Sequence, residues 1–245
     1  MADKLLEARK SGRTISGETP ETGPASIEEA YAVQRLVAER LGAVGAFKTG
    51  RKSPDETPIM APVPAGMVRA SPARFGPGEL RLIGIELEVA FQVRTPLPRA
   101  DDPRFAELAR PCVSPLAAIE IIDSRLEDFE TAGNLWKLAD AQVNGGFVYG
   151  EPVRDWETLD LSTLEVRLDV DGITLVEGPA DIPGGDPFDV FCAFARLVGD
   201  HCGGLAPGHY VTTGTLTPMR FIEPGRQVTG HVAGLGTVSA GFAAT

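Results

Sequence analysis

The stretch Leu82-Ile83-Gly84-Ile85-Glu86-Leu87-Glu88-Val89-Ala90-Phe91-Gln92-Val93 leaves this chain little freedom in its local geometry. Its odd positions, Ile83, Ile85, Leu87, Val89, Phe91 and Val93, are all large and apolar, a period of two that belongs to a β-strand with one face in a core. Glu86 and Glu88 therefore share the other face. Their backbones stand roughly 7 Å apart, near enough for both carboxylates to converge on one cation. Without a cation they repel, and the competing reading is a solvated outer face on an edge strand. The flanking Gly84 and Ala90 are small and are expected to leave room for a ligand.

A second run, Leu116-Ala117-Ala118-Ile119-Glu120-Ile121-Ile122-Asp123, bears on that choice. Glu120 is embedded in residues that are apolar on both faces, as in a strand buried on both sides, where an unpaired carboxylate is costly. It requires a partner. Asp123 at the strand end is read as a local salt bridge with Ser124-Arg125, or else as a further ligand. Three glutamates without histidine or cysteine form an all-oxygen set that suits Mg²⁺ or Mn²⁺ rather than zinc. A bidentate 2-oxo acid would fit the positions Mg²⁺ leaves to water.

Elsewhere the pattern is that of a globular chain of 245 residues, 43% hydrophobic, with a net charge of −11 spread along its length. That charge disfavours nucleic acid and anionic membranes as partners. No apolar stretch is long enough to span a bilayer, and the start, MADKLLEARKSGRT, lacks a signal core, so a cytoplasmic location is expected. Cys112, Cys192 and Cys202 are odd in number and lack CxxC spacing, and are read as reduced. Ser26-Ile27-Glu28-Glu29 is a capping box ahead of a helix over 27–41. Asp186-Pro187 opens a second helix. Six prolines from Pro54 to Pro77 predict an extended crossing, taken as the boundary between a small N-terminal region, 1–70, and a β-rich catalytic domain, 71–245. Strands are expected over 82–93, 116–123, 145–149, 164–170, 173–177, 209–213 and 227–232.

Ile85-Glu-Leu-Glu88 followed by Ala118-Ile-Glu-Ile-Ile-Asp-Ser-Arg125 resembles the metal-binding pattern of the fumarylacetoacetate hydrolase superfamily. Asp140-Ala-Gln-Val-Asn144-Gly-Gly, Thr213-Gly-Thr-Leu-Thr-Pro218 and Gly230-His-Val-Ala-Gly-Leu-Gly236 resemble its other landmarks. The resemblance implies an α+β, mainly β fold: a mixed β-roll or barrel with a small N-terminal helical region. Within that superfamily, Tyr31-Ala-Val-Gln34 and Ala46-Phe-Lys-Thr-Gly50 resemble 2-oxopent-4-enoate hydratases and 4-oxalocrotonate decarboxylases. It follows from the resemblance that Glu86, Glu88 and Glu120 hold Mg²⁺ or Mn²⁺, which chelates a small 2-oxo carboxylate, and that Lys48 assists proton transfer with a lowered pKa. Thr213-Gly214-Thr215 is a candidate grip for the substrate carboxylate, and equally reads as a strand end with a glycine turn. Gln142 and Asn144 are candidates to position water or a distal group, and Arg51 with Lys52 to meet a second carboxylate.

The implied reaction is hydration of a 2-hydroxy-2,4-dienoate, with decarboxylation of a 2-oxo dicarboxylate as the nearest rival. A non-catalytic homologue within a hydratase/decarboxylase complex is the reading from another class. A homo-oligomer is expected from the resemblance. The pattern departs from those hydratases in one respect that touches chemistry: no acidic residue lies between Glu56 and Glu79, where they carry an aspartate. The loop there is also shortened. His201, His209 and His231 all fall late in the chain, which disfavours the histidine-assisted C–C hydrolases.

Overall fold

The computed structural model describes residues 1–16 and 20–244. In chain order its elements are α1 (Ala2–Ser11), α2 (Ile27–Leu41), β1 (Val44–Gly50), β2 (Ile59–Pro64), β3 (Val68–Ala70), β4 (Ala73–Phe75) and β5 (Gly84–Val93). There follow α3 (Phe105–Ala109), β6 (Val113–Ile122), α4 (Asn134–Ala139), β7 (Asn144–Tyr149), β8 (Glu165–Val170), β9 (Ile173–Pro179) and α5 (Pro187–Leu197). The last strands are β10 (Tyr210–Thr215), β11 (Arg220–Phe221), β12 (Gln227–Val232) and β13 (Gly236–Phe242). Short 3₁₀ turns link several of them.

The strands form two sheets. The larger runs β2-β1-β10-β5-β6-β7-β3, with β11 added beside β5, and the smaller runs β4-β13-β12-β8-β9. β5 thus lies between β10 and β6, which removes the edge-strand reading of Glu86 and Glu88. Its odd residues enter the main core, where Ile85, Leu87, Val89 and Phe91 meet Ile119 and Ile121 of β6, valines of the smaller sheet, and Phe188, Phe191 and Phe194 of α5. The opposite face of the larger sheet closes over a second cluster, Ala46, Val63, Ala90, Leu116, Ala118, Phe147 and Tyr210. The large sheet is therefore covered on both faces, and the polar groups on the second face are enclosed as well.

Residues 1–70 contribute β1, β2 and β3 to the same sheet as β5 and β6. The prolines from 54 to 77 accordingly accommodate three short strands within what reads as an extended crossing. β1 is held on one side by β2 and on the other by a parallel pairing with β10, Lys48 opposite Thr212. Helix α2 begins as its capping box predicts, with Ser26 Oγ accepting from Glu29 N. It is fastened by buried Gln34, whose side chain donates to Met60 O and Leu138 O and accepts from His201 Nε2 at 3.0 Å. α5 is capped by Asp186, which accepts from Phe188 N, as its sequence suggests. All three cysteines are free. Among the described residues, no helix is long and apolar enough to cross a membrane.

Candidate active site

Five adjacent strands bring the polar residues together. Lys48 comes from β1, Thr212 from β10, Glu86 and Glu88 from β5, Glu120 from β6 and Asn144 from the first position of β7. Registers of Glu86 with Glu120, and of Thr212 with both Lys48 and Ala90, put these side chains on the face of the second cluster. One carboxylate oxygen of each of Glu86, Glu88 and Glu120 lies within 4.8 Å of the others. Glu88 and Glu120 are buried and Glu86 is half-buried.

The electrostatics follow from that crowding. Burial, and then the charges of Glu120 and Glu86, hold the Glu88 carboxyl well above the usual carboxylate range. Glu86 is raised as well, by burial and by Glu120, with Lys48 opposing. Lys48 Nζ stands 2.8 Å from Glu120 Oε1 and donates to Gln142 O at 3.2 Å. Burial acts against its charge, yet Glu120, Glu86 and Glu88 together hold its pKa above the ordinary lysine value. The three carboxylates by themselves thus outweigh desolvation, whereas the lowered pKa expected from the sequence is that of a lysine beside a bound cation.

Ala141, Gln142 and Val143 all take positive φ, at 51°, 52° and 56°. Three successive left-handed residues without a glycine are costly, roughly 1–2 kcal/mol each, and the surrounding bonds must impose them. Val143 N donates to Asp140 O, and Val143 O accepts from Asp123 N. The turn delivers the Gln142 carbonyl to Lys48. Its base is Arg125, which is buried, pairs with Asp140 and donates from Nη1 to Asn144 O at 2.8 Å. Asn144 Nδ2 in turn donates to Glu120 Oε1 at 2.8 Å.

Several sequence expectations change here. Asp123 makes no salt bridge with Arg125; its Oδ1 accepts from Leu82 N, and Arg125 turns to Asp140 because that carboxylate meets both its Nε and its backbone N–H. Gly84 leaves no space for a ligand, since a Cβ there would meet Ile122 at 2.8 Å and Phe221 at 3.0 Å. Ala90 is likewise packed into the second cluster. The hydroxyl of Thr215 closes a turn on Thr217, and Gly214 N donates to Glu88 Oε2 at 3.1 Å. Thr213 donates to Val89 O. Arg51 Nε is bonded to Gly184 O.

Thr212 escaped the sequence reading. Its Oγ1 is buried and without a partner, and the only sequence signal was its position one residue before the Thr213-Gly214-Thr215 segment. Among the described residues five buried side-chain polar atoms lack a partner, and four belong here: Glu120 Oε2, Gln142 Nε2, Asn144 Oδ1 and Thr212 Oγ1. Orphaned polar atoms are rare in folded proteins, and a cluster of them marks a place prepared for a ligand. A divalent oxygen-seeking cation fits the set, because it supplies what Glu120 Oε2 lacks and removes the repulsion that raises Glu86 and Glu88.

A cleft of about 500 Å³ opens beside this cluster, with Lys48 and Gln142 in its wall. Arg51, Lys52 and Lys137 also line it, together with Ile59, Leu135, Leu138 and a single carboxylate, Glu56.

No family model matches the chain. It is 29% identical over 256 residues to a 2-keto-4-pentenoate hydratase of Burkholderia vietnamiensis, spanning 99% of this chain and 96% of that one. It is 27% identical to the TodF product hydratase of Pseudomonas putida, over 99% and 94% of the two chains. The solved 4-oxalocrotonate decarboxylase of Pseudomonas putida G7, complexed with magnesium and adipate, superposes with a TM-score of 0.84 at 24% identity, covering 98% of this chain and 95% of that one. Along nearly its whole length the chain is thus similar in sequence to proteins named as hydratases of 2-keto-4-pentenoate, and in fold to a 4-oxalocrotonate decarboxylase. Its fold is that of the solved decarboxylase, mainly β as expected from the resemblance, and the expected N-terminal helical region is present.

Proposed function

We propose that the protein is a divalent-metal-dependent lyase that hydrates a 2-hydroxy-2,4-dienoate to a 4-hydroxy-2-oxo acid. The observation that carries this is the enclosed trio Glu86, Glu88 and Glu120, adjoined by four partnerless polar atoms and by Lys48, which also lines the cleft. Relatives named as 2-keto-4-pentenoate hydratases match the chain nearly end to end, which supports hydration as the reaction. Glu86, Glu88 and Glu120 would hold Mg²⁺ or Mn²⁺. Bound there, the cation would supply charge stabilisation for the substrate's 1-carboxylate and 2-oxygen as negative charge develops on the latter.

The remaining steps fall to the chain's own side chains. The dienol O–H gives up its proton as C5 gains one, leaving a C3–C4 double bond conjugated to the new carbonyl. Water then adds at C4 and a proton at C3, so that the sum is addition of one water. Lys48, charged and reachable from the cleft, is the proton carrier, with its ammonium aimed by Glu120 and the Gln142 carbonyl. Deprotonating the attacking water calls for a base outside the cation's ligand set. Glu56, the carboxylate among the cleft's lining residues, is suited to that role, in place of the aspartate that the hydratases carry further along the loop. Gln142 and Arg51 border the substrate, Asn144 orients Glu120, and Thr215 shapes the turn that sends Gly214 N to Glu88.

A second reading, decarboxylation of a 2-oxo dicarboxylate, draws on the cleft's charge. Arg51, Lys52 and Lys137 offer more positive charge than a monocarboxylate needs. Ultraviolet assays of 2-hydroxypenta-2,4-dienoate beside 4-oxalocrotonate, with Mg²⁺ and with EDTA, separate the two. Metal-dependent loss of dienol absorbance yielding 4-hydroxy-2-oxopentanoate supports hydration. CO₂ release from the dicarboxylate alone transfers the assignment to a decarboxylase. Absence of metal binding defeats both and leaves the non-catalytic partner. Self-association, or pairing with a homologous decarboxylase or hydratase, belongs to the same proposal; the exposed Ile173 and Leu175 on β9 at the edge of the smaller sheet support it, and light scattering tests it.

A further inference from the structure

The fifth partnerless buried atom is Arg9 Nε, in a different place. Arg9 lies near the end of α1 and lines a second cleft, of about 760 Å³, that shares no lining residue with the one beside Lys48. Its Nη1 points to the Met67 sulfur at 3.7 Å, a weak acceptor for a guanidinium. Burial, followed by repulsion from Arg125, lowers its pKa to about 9, so it still carries its charge at neutral pH. Arg9 is half-buried, but its Nε is fully enclosed without an acceptor, and an enclosed charged donor is costly unless something pairs with it.

The surroundings add to that surplus. Lys10, Arg13 and Arg81 line the same cleft. Of the nearby carboxylates, Glu79 is paired with Arg69 and Asp140 with Arg125, while Asp123 accepts from Leu82 N; Asp140 and Asp123 favour the Arg9 charge through space, but neither forms a hydrogen bond or ion pair with its guanidinium. Arg13 reaches Glu7 only at 3.9 Å, with both side chains exposed. Arg81 donates to the carbonyls of Ser124 and Leu126 from Nε and Nη2. In a chain of net charge −11, this is a concentration of positive charge around a concave surface.

We infer that this cleft binds a small oxyanion, a phosphate or a carboxylate, held by Arg9 with Arg81 and Arg13 around its opening. A planar guanidinium presents paired donors to such an anion, which the thioether of Met67 cannot match. Arg125, a wall of the cleft, bonds to Asn144 O and so links it to the residue that holds Glu120.

The test is calorimetric titration of the full chain with inorganic phosphate and, separately, with acetate, each against chloride at equal ionic strength, beside thermal melts. Arg9→Met and Arg81→Met are the variants. The expected result is saturable binding of at least one anion, weakened tenfold or more by Arg9→Met and several-fold by Arg81→Met. Arg9→Met should still fold in chloride, because it removes an enclosed Nε that has no acceptor, and should lose the anion-dependent rise. Binding of phosphate alone assigns the site to phosphate groups, and of acetate alone to carboxylates. No binding beyond the chloride control, or undiminished binding in a folded Arg9→Met, overturns the inference.

Discussion

Lys48 Nζ and Glu120 Oε1 are 2.8 Å apart, in a position where Glu120 is fully buried and Lys48 is 13% exposed. The ion pair thus lies at the boundary between the enclosed trio and the cleft. Replacing Lys48 by Met should lower turnover by about 10²–10⁴-fold, the usual range for loss of a general acid–base group, while Mg²⁺ still binds. Isothermal titration with Mg²⁺ alongside the rate assay checks this. Wild-type turnover in Lys48→Met would remove the lysine from the chemistry.

Glu88→Gln keeps the shape of the side chain and removes a charge that Glu120 and Glu86 oppose. Without added metal the variant should be as stable as wild type or more so. With Mg²⁺ at about 100 times the wild-type dissociation constant, wild type should gain about 2.7 kcal/mol and the variant almost none. Equal metal-dependent gains in urea melts would show that Glu88 is not a ligand.

Arg125 and Asp140 anchor the left-handed turn that presents Gln142 to Lys48. Asp140→Asn leaves a buried guanidinium against a neutral amide, and should cost about 3–5 kcal/mol, as expected for breaking a buried pair. A loss under about 1 kcal/mol in denaturant unfolding would mean that water reaches Arg125.

His201 gives a prediction in pH. Arg35 Nη1 is 3.4 Å from its Nδ1 and can only donate, so Nδ1 accepts and Nε2–H donates to Gln34 Oε1. The ring is held neutral, and burial, then the charge of Arg35, lowers its pKa to about 4. Unfolding restores a pKa of about 6.5, so the unfolded chain takes up the proton first. The stability contributed by neutral His201 is full above about pH 6.5 and is lost as pH falls toward 4, on the order of 1–2 kcal/mol after allowance for solvent screening. Guanidine melts across that window should show a shallower pH dependence in His201→Gln than in wild type; identical slopes would contradict the assignment.

The trio was readable in the sequence because alternation on β5 sets Glu86 and Glu88 on one face, and because Glu120 interrupts a run on β6 that is apolar on both faces. β1 was harder to read. Val44-Gly-Ala-Phe-Lys-Thr-Gly50 has two glycines and no clean alternation, so β2 and β10, rather than local preference, make it a strand. The turn at 141–143 could not be foreseen, since Ala, Gln and Val carry no sign of left-handed backbone. Arg125 likewise finds its carboxylate in Asp140, across α4, instead of in the neighbouring Asp123. Local periodicity thus exposed the three carboxylates, while the residues that aim them depend on contacts between distant segments.

The parallel pairing of β1 with β10 has a consequence for how the protein comes into being. Lys48 is synthesised early, but the strand that flanks it on the inner side arrives only near residue 212. Until then β1 has no neighbour joining it to β5, and the lysine cannot meet its carboxylates. Such long-range closure slows folding and leaves strand edges exposed during synthesis. The chain therefore remains catalytically silent on the ribosome until its final quarter has emerged.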